Sequence, residues 1–94
     1  MAKPDLLAHH RGDAVAVAVR DLQPGNRTVN YLDESASSQV SVTEPVPLGH
    51  KVALCNLESG ADVIEYGVVI GRATGDIGTG DHVHVHNLKG VRWA

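Results

Sequence analysis

Apolar and polar residues alternate in short runs along this chain. That pattern predicts strands, because successive side chains of a strand point to opposite faces of a sheet. In residues 14–19, Val15, Val17 and Val19 share one face while Ala14, Ala16 and Ala18 occupy the other. Both faces are apolar, so this strand is expected to be covered on both sides. Residues 28–32 read as a second strand and residues 33–38 as a polar loop or hairpin tip. Over 39–44, Val40 and Val42 alternate with Gln39, Ser41 and Thr43, the pattern of a half-buried strand. Pro45 and Pro47 keep the next segment out of a central sheet, since neither has an N–H. Val52-Ala53-Leu54-Cys55 is an apolar strand, with the thiol expected to pack inside it. Val63-Ile64 leads into a tight turn at Glu65-Tyr66-Gly67, and 68–71 returns as a short buried strand. Residues 1–7 read as a lead-in and 89–94 as a tail. The single Trp93 in that tail would dock on the domain itself or on a partner.

A turn pattern recurs three times: Asp21-Leu22-Gln23-Pro24-Gly25, Asn56-Leu57-Glu58-Ser59-Gly60 and Asp76-Ile77-Gly78-Thr79-Gly80. Each copy has Asp or Asn, an aliphatic residue, two variable positions and glycine. The Asx side chain is expected to bond nearby backbone N–H groups. The aliphatic would plug the core, and the glycine would supply a left-handed backbone position. The unequal spacing argues for turn-then-strand units folded against one another rather than a solenoid.

Composition agrees with an all-β chain. The apolar residues are mostly Val, Ala, Leu and Ile, with no Phe, one Trp and two Tyr, and β-branched side chains favour strands. The 94 residues make a single domain, 1–94. A domain of this size buries only about 60–65% of the surface its unfolded chain exposes, so its stability margin is thin. Self-association of the isolated chain, as a homo-oligomer, is therefore expected. Eight Lys and Arg are scattered under a net charge of −3, which leaves no electrostatic footprint for nucleic acid. A lone cysteine excludes an internal disulfide and fits a reducing cytoplasm. No apolar run approaches about 18 residues, so neither a membrane span nor a signal peptide is expected.

The chemistry concentrates in Gly80-Asp81-His82-Val83-His84-Val85-His86-Asn87, which holds three of the six histidines. Extended over 81–88, this stretch would put His82, His84 and His86 on one face. Positions two apart along a strand are about 6.5 Å from each other, so His82 and His86 would be separated by about 13 Å. An adjacent pair could share a metal ion, but all three could not. Three readings stay open: metal ligation, completed by His50, His9, His10, Asp81 or a second protein; acid–base or anion-binding histidines, given an imidazole pKa near 6.5; or a merely polar edge strand. His50-Lys51 is a second candidate. It would receive an anionic group at a strand edge, or else consist of a surface lysine beside a histidine satisfied by a backbone carbonyl. His9 and His10, next to Gly12-Asp13, are either a solvated loop or the polar lining of a site.

The ordered set Gly49-His50-Lys51-Val52-Ala53-Leu54, Val63-Ile64-Glu65-Tyr66-Gly67, Ile70-Gly71-Arg72-Ala73, Asp76-Ile77, Gly80 and His82-Val83-His84-Val85-His86-Asn87 closely resembles the N-terminal domain of altronate and galactarate dehydratases. That domain belongs to the SAF superfamily, whose β-clip fold also occurs in sialic acid synthases and antifreeze proteins. The resemblance covers residues 9–88. In the fused dehydratases a much larger domain follows the His-Asn end, whereas this chain stops a few residues later. Its ending at 89–93 looks more like the small subunit of sulfolactate sulfo-lyase.

The resemblance implies an all-β SAF-type β-clip fold, mainly β with short helical turns. It also implies a small subunit of a two-component carbon–oxygen lyase that dehydrates a sugar acid, its site completed by a large catalytic subunit. The carbon–sulfur lyase acting on sulfolactate is the alternative reaction. A non-catalytic sugar-acid-binding or assembly module is the alternative class, since the fold hosts unrelated roles. Ferrous iron is the implied cofactor. The reaction would be a β-elimination: a base takes the proton α to a carboxylate, with the enolate-like charge stabilised by a metal. His50 and His84 are the candidate acid–base residues, Lys51, Arg72 and His82 the candidate substrate contacts, and His84 and His86 the candidate metal ligands.

Overall fold

A computed structural model describes residues 4–33 and 36–90. It is built entirely of strands, with no helix among the described residues. They are β1 (Leu6–Ala8), β2 (Val15–Ala18), β3 (Gly25–Tyr31), β4 (Ser37–Val42), β5 (Lys51–Ala53), β6 (Asp62–Glu65), β7 (Val68–Ala73), β8 (His82–Val83) and β9 (Leu88–Gly90). A curled sheet runs in the order β4-β3-β1-β2-β5-β8, and a smaller one in the order β6-β7-β9. All pairings are antiparallel except β1 with β3. The expected all-β fold is present.

The core divides into two clusters. One gathers Leu6, Leu22, Val29, Val40, Val42, Val46 and Val52; the other gathers Val15, Leu57, Val63, Ala73, Ile77 and Val83. Strands β2 and β5 contribute to both, Ala16 and Val52 to the first and Val15 and Ala53 to the second. This is why the alternating Val and Ala of β2 are apolar on both faces. On β4, Val40 and Val42 are buried while Gln39 and Ser41 face water, as the alternation predicts.

The repeated turns are the organising device. Leu22 pairs with Val46, and Leu57 with Ile77, each through two reciprocal backbone hydrogen bonds of 2.7–2.9 Å. Each pair plugs one core cluster, and a fully buried aliphatic contributes about 1.5–3 kcal/mol. Val46-Pro47-Leu48-Gly49 is thus a fourth copy. The sequence pattern hides it because proline stands at the Asx position. Gly25, Gly49, Gly60 and Gly80 close the four turns with φ between 86° and 133°.

The expectation that each Asx side chain serves its own turn is corrected: the bonds run across each pair. Asp21 Oδ1 accepts from Leu48 N–H (2.8 Å), Asp76 Oδ1 from Ser59 N–H (2.9 Å) and Asn56 Oδ1 from Thr79 N–H (2.8 Å). The fourth bond is missing at both ends. Pro45 has no acceptor side chain, and the matching donor position is Pro24, which has no N–H.

Several further expectations change. The lead-in drawn over 1–7 contains Leu6 and Leu7 of β1, which is central to the large sheet and starts from the buried Asp5. Asp5 accepts from Thr28 N–H (2.9 Å) and from the Arg20 guanidinium, so it ties β1 to β3 and to the end of β2. In the expected tail, Leu88–Gly90 forms β9 against β7, while Trp93 lies outside the described residues. Cys55 follows β5 and is exposed rather than packed. Val68 and Val69 are exposed because β7 offers that end to solvent, so 68–71 is not a buried strand. The turn at Tyr66-Gly67 is present, with φ of 63° and 71°. Asp13 pins it by accepting from Tyr66 N–H (3.1 Å) and Gly67 N–H (3.4 Å).

Burial alone would raise the Asp5 carboxyl, but the Thr28 N–H and the Arg20 charge outweigh it and hold the group below 3.8. A carboxylate with a depressed folded pKa stabilises the fold above its unfolded pKa. That stability is lost as the pH falls through the lower folded value. Asp5→Asn is expected to cost about 2–3 kcal/mol at pH 7, and less as the pH falls below 4. Urea denaturation at pH 7 and pH 3 checks both parts. Gly80 faces a tighter constraint, because a Cβ there would stand 1.8 Å from Ser41 O on a backbone at φ 90°. Gly80→Ala should therefore lower the urea midpoint by the equivalent of about 3 kcal/mol or more.

Candidate functional site

The histidine stretch does not run on as one strand. His82 and Val83 form β8, and the chain then turns through 84–87 before β9. Asn87 makes the turn: its Oδ1 accepts from His84 N–H (3.0 Å) and its Nδ2 donates to His82 O (2.8 Å). Leu88 N–H then bonds His84 O at 2.9 Å. These bonds occupy groups that a longer ladder would have used. Val85 is consequently 82% exposed, although strict alternation puts it on the buried face with Val83.

The turn also corrects the expected 13 Å spacing, as the rings of His82 and His86 have centroids only 5.1 Å apart. Strand pairing adds a further histidine. β5 and β8 are antiparallel with Lys51 opposite Val83 and Val52 opposite His82, so His50 arrives across from His84. Their rings stack at 3.8 Å and 16°. His50 Nδ1 lies 2.8 Å from His82 Nε2. One ring nitrogen each from His50, His82 and His84 fall within 4.8 Å of one another.

The cluster rests on a firm base. Asp81 O accepts from Ala53 N–H (2.9 Å), Gly80 N–H donates to Ala53 O (2.8 Å) and Thr43 N–H donates to Gly80 O (3.1 Å). The Asp81 carboxylate is already engaged by Thr43 Oγ1 (2.7 Å) and Gly78 N–H (2.8 Å), so it braces the β8 entry rather than facing the rings. Glu44 is the group that sequence reasoning missed. Its Oε1 lies 3.5 Å from His82 Nδ1, and nothing in a polar residue before Pro45 signals that position.

The surroundings shift two of these rings downward. His82 is lowered from its ordinary value near 6.5 by burial, then by the neighbouring His50 and His86; Glu44 opposes this only in part. His84, the most open of the three, is lowered by loss of water on its covered face and by His50, His86 and Lys51. Neutral imidazole is the form that binds metals and accepts protons.

Of the residues singled out in the sequence, the structure therefore joins His50, His82 and His84, with His86 beside His82 and the Lys51 charge acting on His84. It does not bring in Arg72, which is on β7 of the smaller sheet with its guanidinium 3.4 Å from Asp62. His9 and His10 form a separate group: His9 stacks on Tyr66, and His10 Nδ1 is 2.9 Å from Asp33 Oδ2.

A family model described as the altronate/galactarate dehydratase SAF domain matches residues 4–91. The chain is 38% identical over 91 residues to the (2R)-sulfolactate sulfo-lyase subunit alpha of Chromohalobacter salexigens, covering 95% of this chain and 97% of that one. It is 42% identical over 60 residues to the protein of the same name from Paracoccus pantotrophus, covering 64% of this chain and 90% of that one. It is also 43% identical over 81 residues to the altronate dehydratase of Escherichia coli, covering 85% of this chain but 15% of that much longer one. The chain belongs to the altronate/galactarate dehydratase SAF domain family.

Proposed function

We propose that this chain is the small subunit of a two-component lyase that cleaves a 2-hydroxy acid by β-elimination, with a companion subunit completing the site. The observation that carries this reading is the outward-facing His50–His82–His84 cluster in a chain that aligns with 97% of a sulfo-lyase subunit alpha. The same alignment favours (2R)-sulfolactate as substrate. Dehydration of an altronate- or galactarate-like sugar acid is the second reading, supported by 43% identity to an altronate dehydratase.

In either reaction the C2–H proton goes to a base, and its electron pair becomes the C2=C3 double bond. The C3 substituent leaves with the electrons of its own bond, as sulfite or as hydroxide. The enol then tautomerises to the 2-keto acid. Without a bound ion, His84, the open ring, would accept the C2 proton and the stacked His50 would relay it or return it to a leaving oxygen; with an ion held on these nitrogens their lone pairs would be ligands, and the companion subunit would supply the base. Lys51 is the cation beside the rings and fits the substrate carboxylate; His82 would contact the hydroxyl. Ferrous iron, implied by family resemblance, fits three imidazole donors as a borderline cation does, and when bound it would supply Lewis-acid stabilisation of enolate charge.

With its companion subunit, the chain is expected to release sulfite from (2R)-sulfolactate, and to be inactive when purified alone. His84→Ala should lower kcat of the complex by about 10²–10⁴-fold without loss of assembly. An unchanged kcat with a raised KM or weakened assembly would establish the binding-module reading instead. Because both His82 and His84 titrate below 6.5, they stay neutral to lower pH than free imidazole. The acid limb of kcat/KM should accordingly fall below pH 6.5, and a pH–rate profile of the complex checks its position.

A further inference from the structure

The three clustered imidazoles come from two segments that meet only because β5 pairs with β8. Two nitrogens bound to one ion at about 2.1 Å sit about 3.0 Å apart at a right angle and about 3.4 Å apart at a tetrahedral angle. The 2.8 Å between His50 Nδ1 and His82 Nε2 is close to that spacing before any ion is considered. His84 is on a turn rather than in a strand, so its ring can close the remaining gap by side-chain rotation. The Glu44 carboxylate beside Nδ1 of His82 favours the tautomer with its proton on Nδ1, leaving the Nε2 lone pair directed at His50. This is the arrangement in which an outer carboxylate orients a metal-binding histidine.

We propose that this chain by itself binds one divalent transition-metal ion through His50 Nδ1, His82 Nε2 and a ring nitrogen of His84, with Glu44 as the positioning residue behind His82. The proposal deepens the reading of the cluster as a lyase site and rests on it for its purpose. The ligand set differs from the His84–His86 pair suggested by the sequence, because His50 enters across the sheet and His86 stands outside the trio. Three neutral imidazoles leave the full double positive charge of the ion in place. They also leave coordination positions open toward solvent, so the site favours an anionic oxygen ligand such as a 2-hydroxycarboxylate.

Cobalt(II) is a suitable probe, since it binds imidazole readily and has visible bands that report its coordination. Titrated into the purified full chain, Co²⁺ is expected to bind one-to-one. Affinity should fall at least tenfold in His50→Ala, His82→Ala and His84→Ala, and about tenfold in Glu44→Gln. His86→Ala should stay within about twofold. Circular dichroism checks the fold of each variant, and His84→Ala, on an open turn, carries the test if His82→Ala does not fold. Absence of Co²⁺ binding by the wild-type chain at millimolar metal would overturn the proposal. So would dependence on His86 and His84 with none on His50. The two readings separate cleanly. A chain that binds no Co²⁺ while its complex releases sulfite refutes the metal site alone. Co²⁺ binding with the expected variant pattern, in a complex inactive on both substrates, refutes the lyase reading alone.

Discussion

The chemistry of this molecule hangs on the antiparallel pairing of β8 with β5. Only two residue pairs define that register, yet it decides that His50 meets His84 and that Lys51 adjoins the rings. So short a ladder holds little by itself. It is secured by the Leu57–Ile77 plug beneath it, by the Asp81 carboxylate across its entry, and by the backbone of Thr43 bonded to Gly80. At the last point the backbone of Gly80 runs so close to Ser41 that no side chain fits. The edge strand is therefore clamped from two sides, and the turn that follows it carries functional groups on a rigid mount.

Much of the fold was legible in the chain. The two-faced β2, the half-buried β4 and the repeated turns all follow from alternation and from the chemistry of Asx and glycine. What alternation could not show was where a period of two stops. His82 through His86 keeps the polar–apolar rhythm of a strand, but Asn87 folds back onto the backbone of His82 and His84 and ends the strand after Val83. Similarly, β1 is too short to alternate visibly, and its importance comes from Asp5, which looks like an ordinary solvated carboxylate until Thr28 and Arg20 are brought to it. The fourth turn was hidden by proline at the position where the others carry Asx.

The site was half legible for a related reason. Its residue types were visible in the sequence, and the family pattern marked His50-Lys51 as well as the histidine triplet. Their grouping depends on long-range register: His50 and His82 are 32 residues apart and meet at 2.8 Å. Glu44, 3.5 Å from His82 Nδ1, and Asn87, which folds the turn through the backbone of His82 and His84, carry no local signature. Arg72 shows the converse, a plausible carboxylate partner by sequence that faces Asp62 in the other sheet.

The paired turns also bear on how such a domain can change. At three of the four cross-turn places an Asx oxygen accepts from a backbone N–H, and at the fourth both groups are absent together, with Pro45 at the acceptor position and Pro24 at the donor position. Pro45 also lines an apolar groove with Asp21, Leu22, Gln23, Val46 and Pro47. Replacing Pro45 with aspartate would set an acceptor against a residue that cannot donate, and freeing the N–H at position 24 would leave a donor with no acceptor. The two prolines thus form a locked pair in sequence space: neither single step restores the bond, so the asymmetry between the halves is preserved by the neighbour of whichever residue might change first.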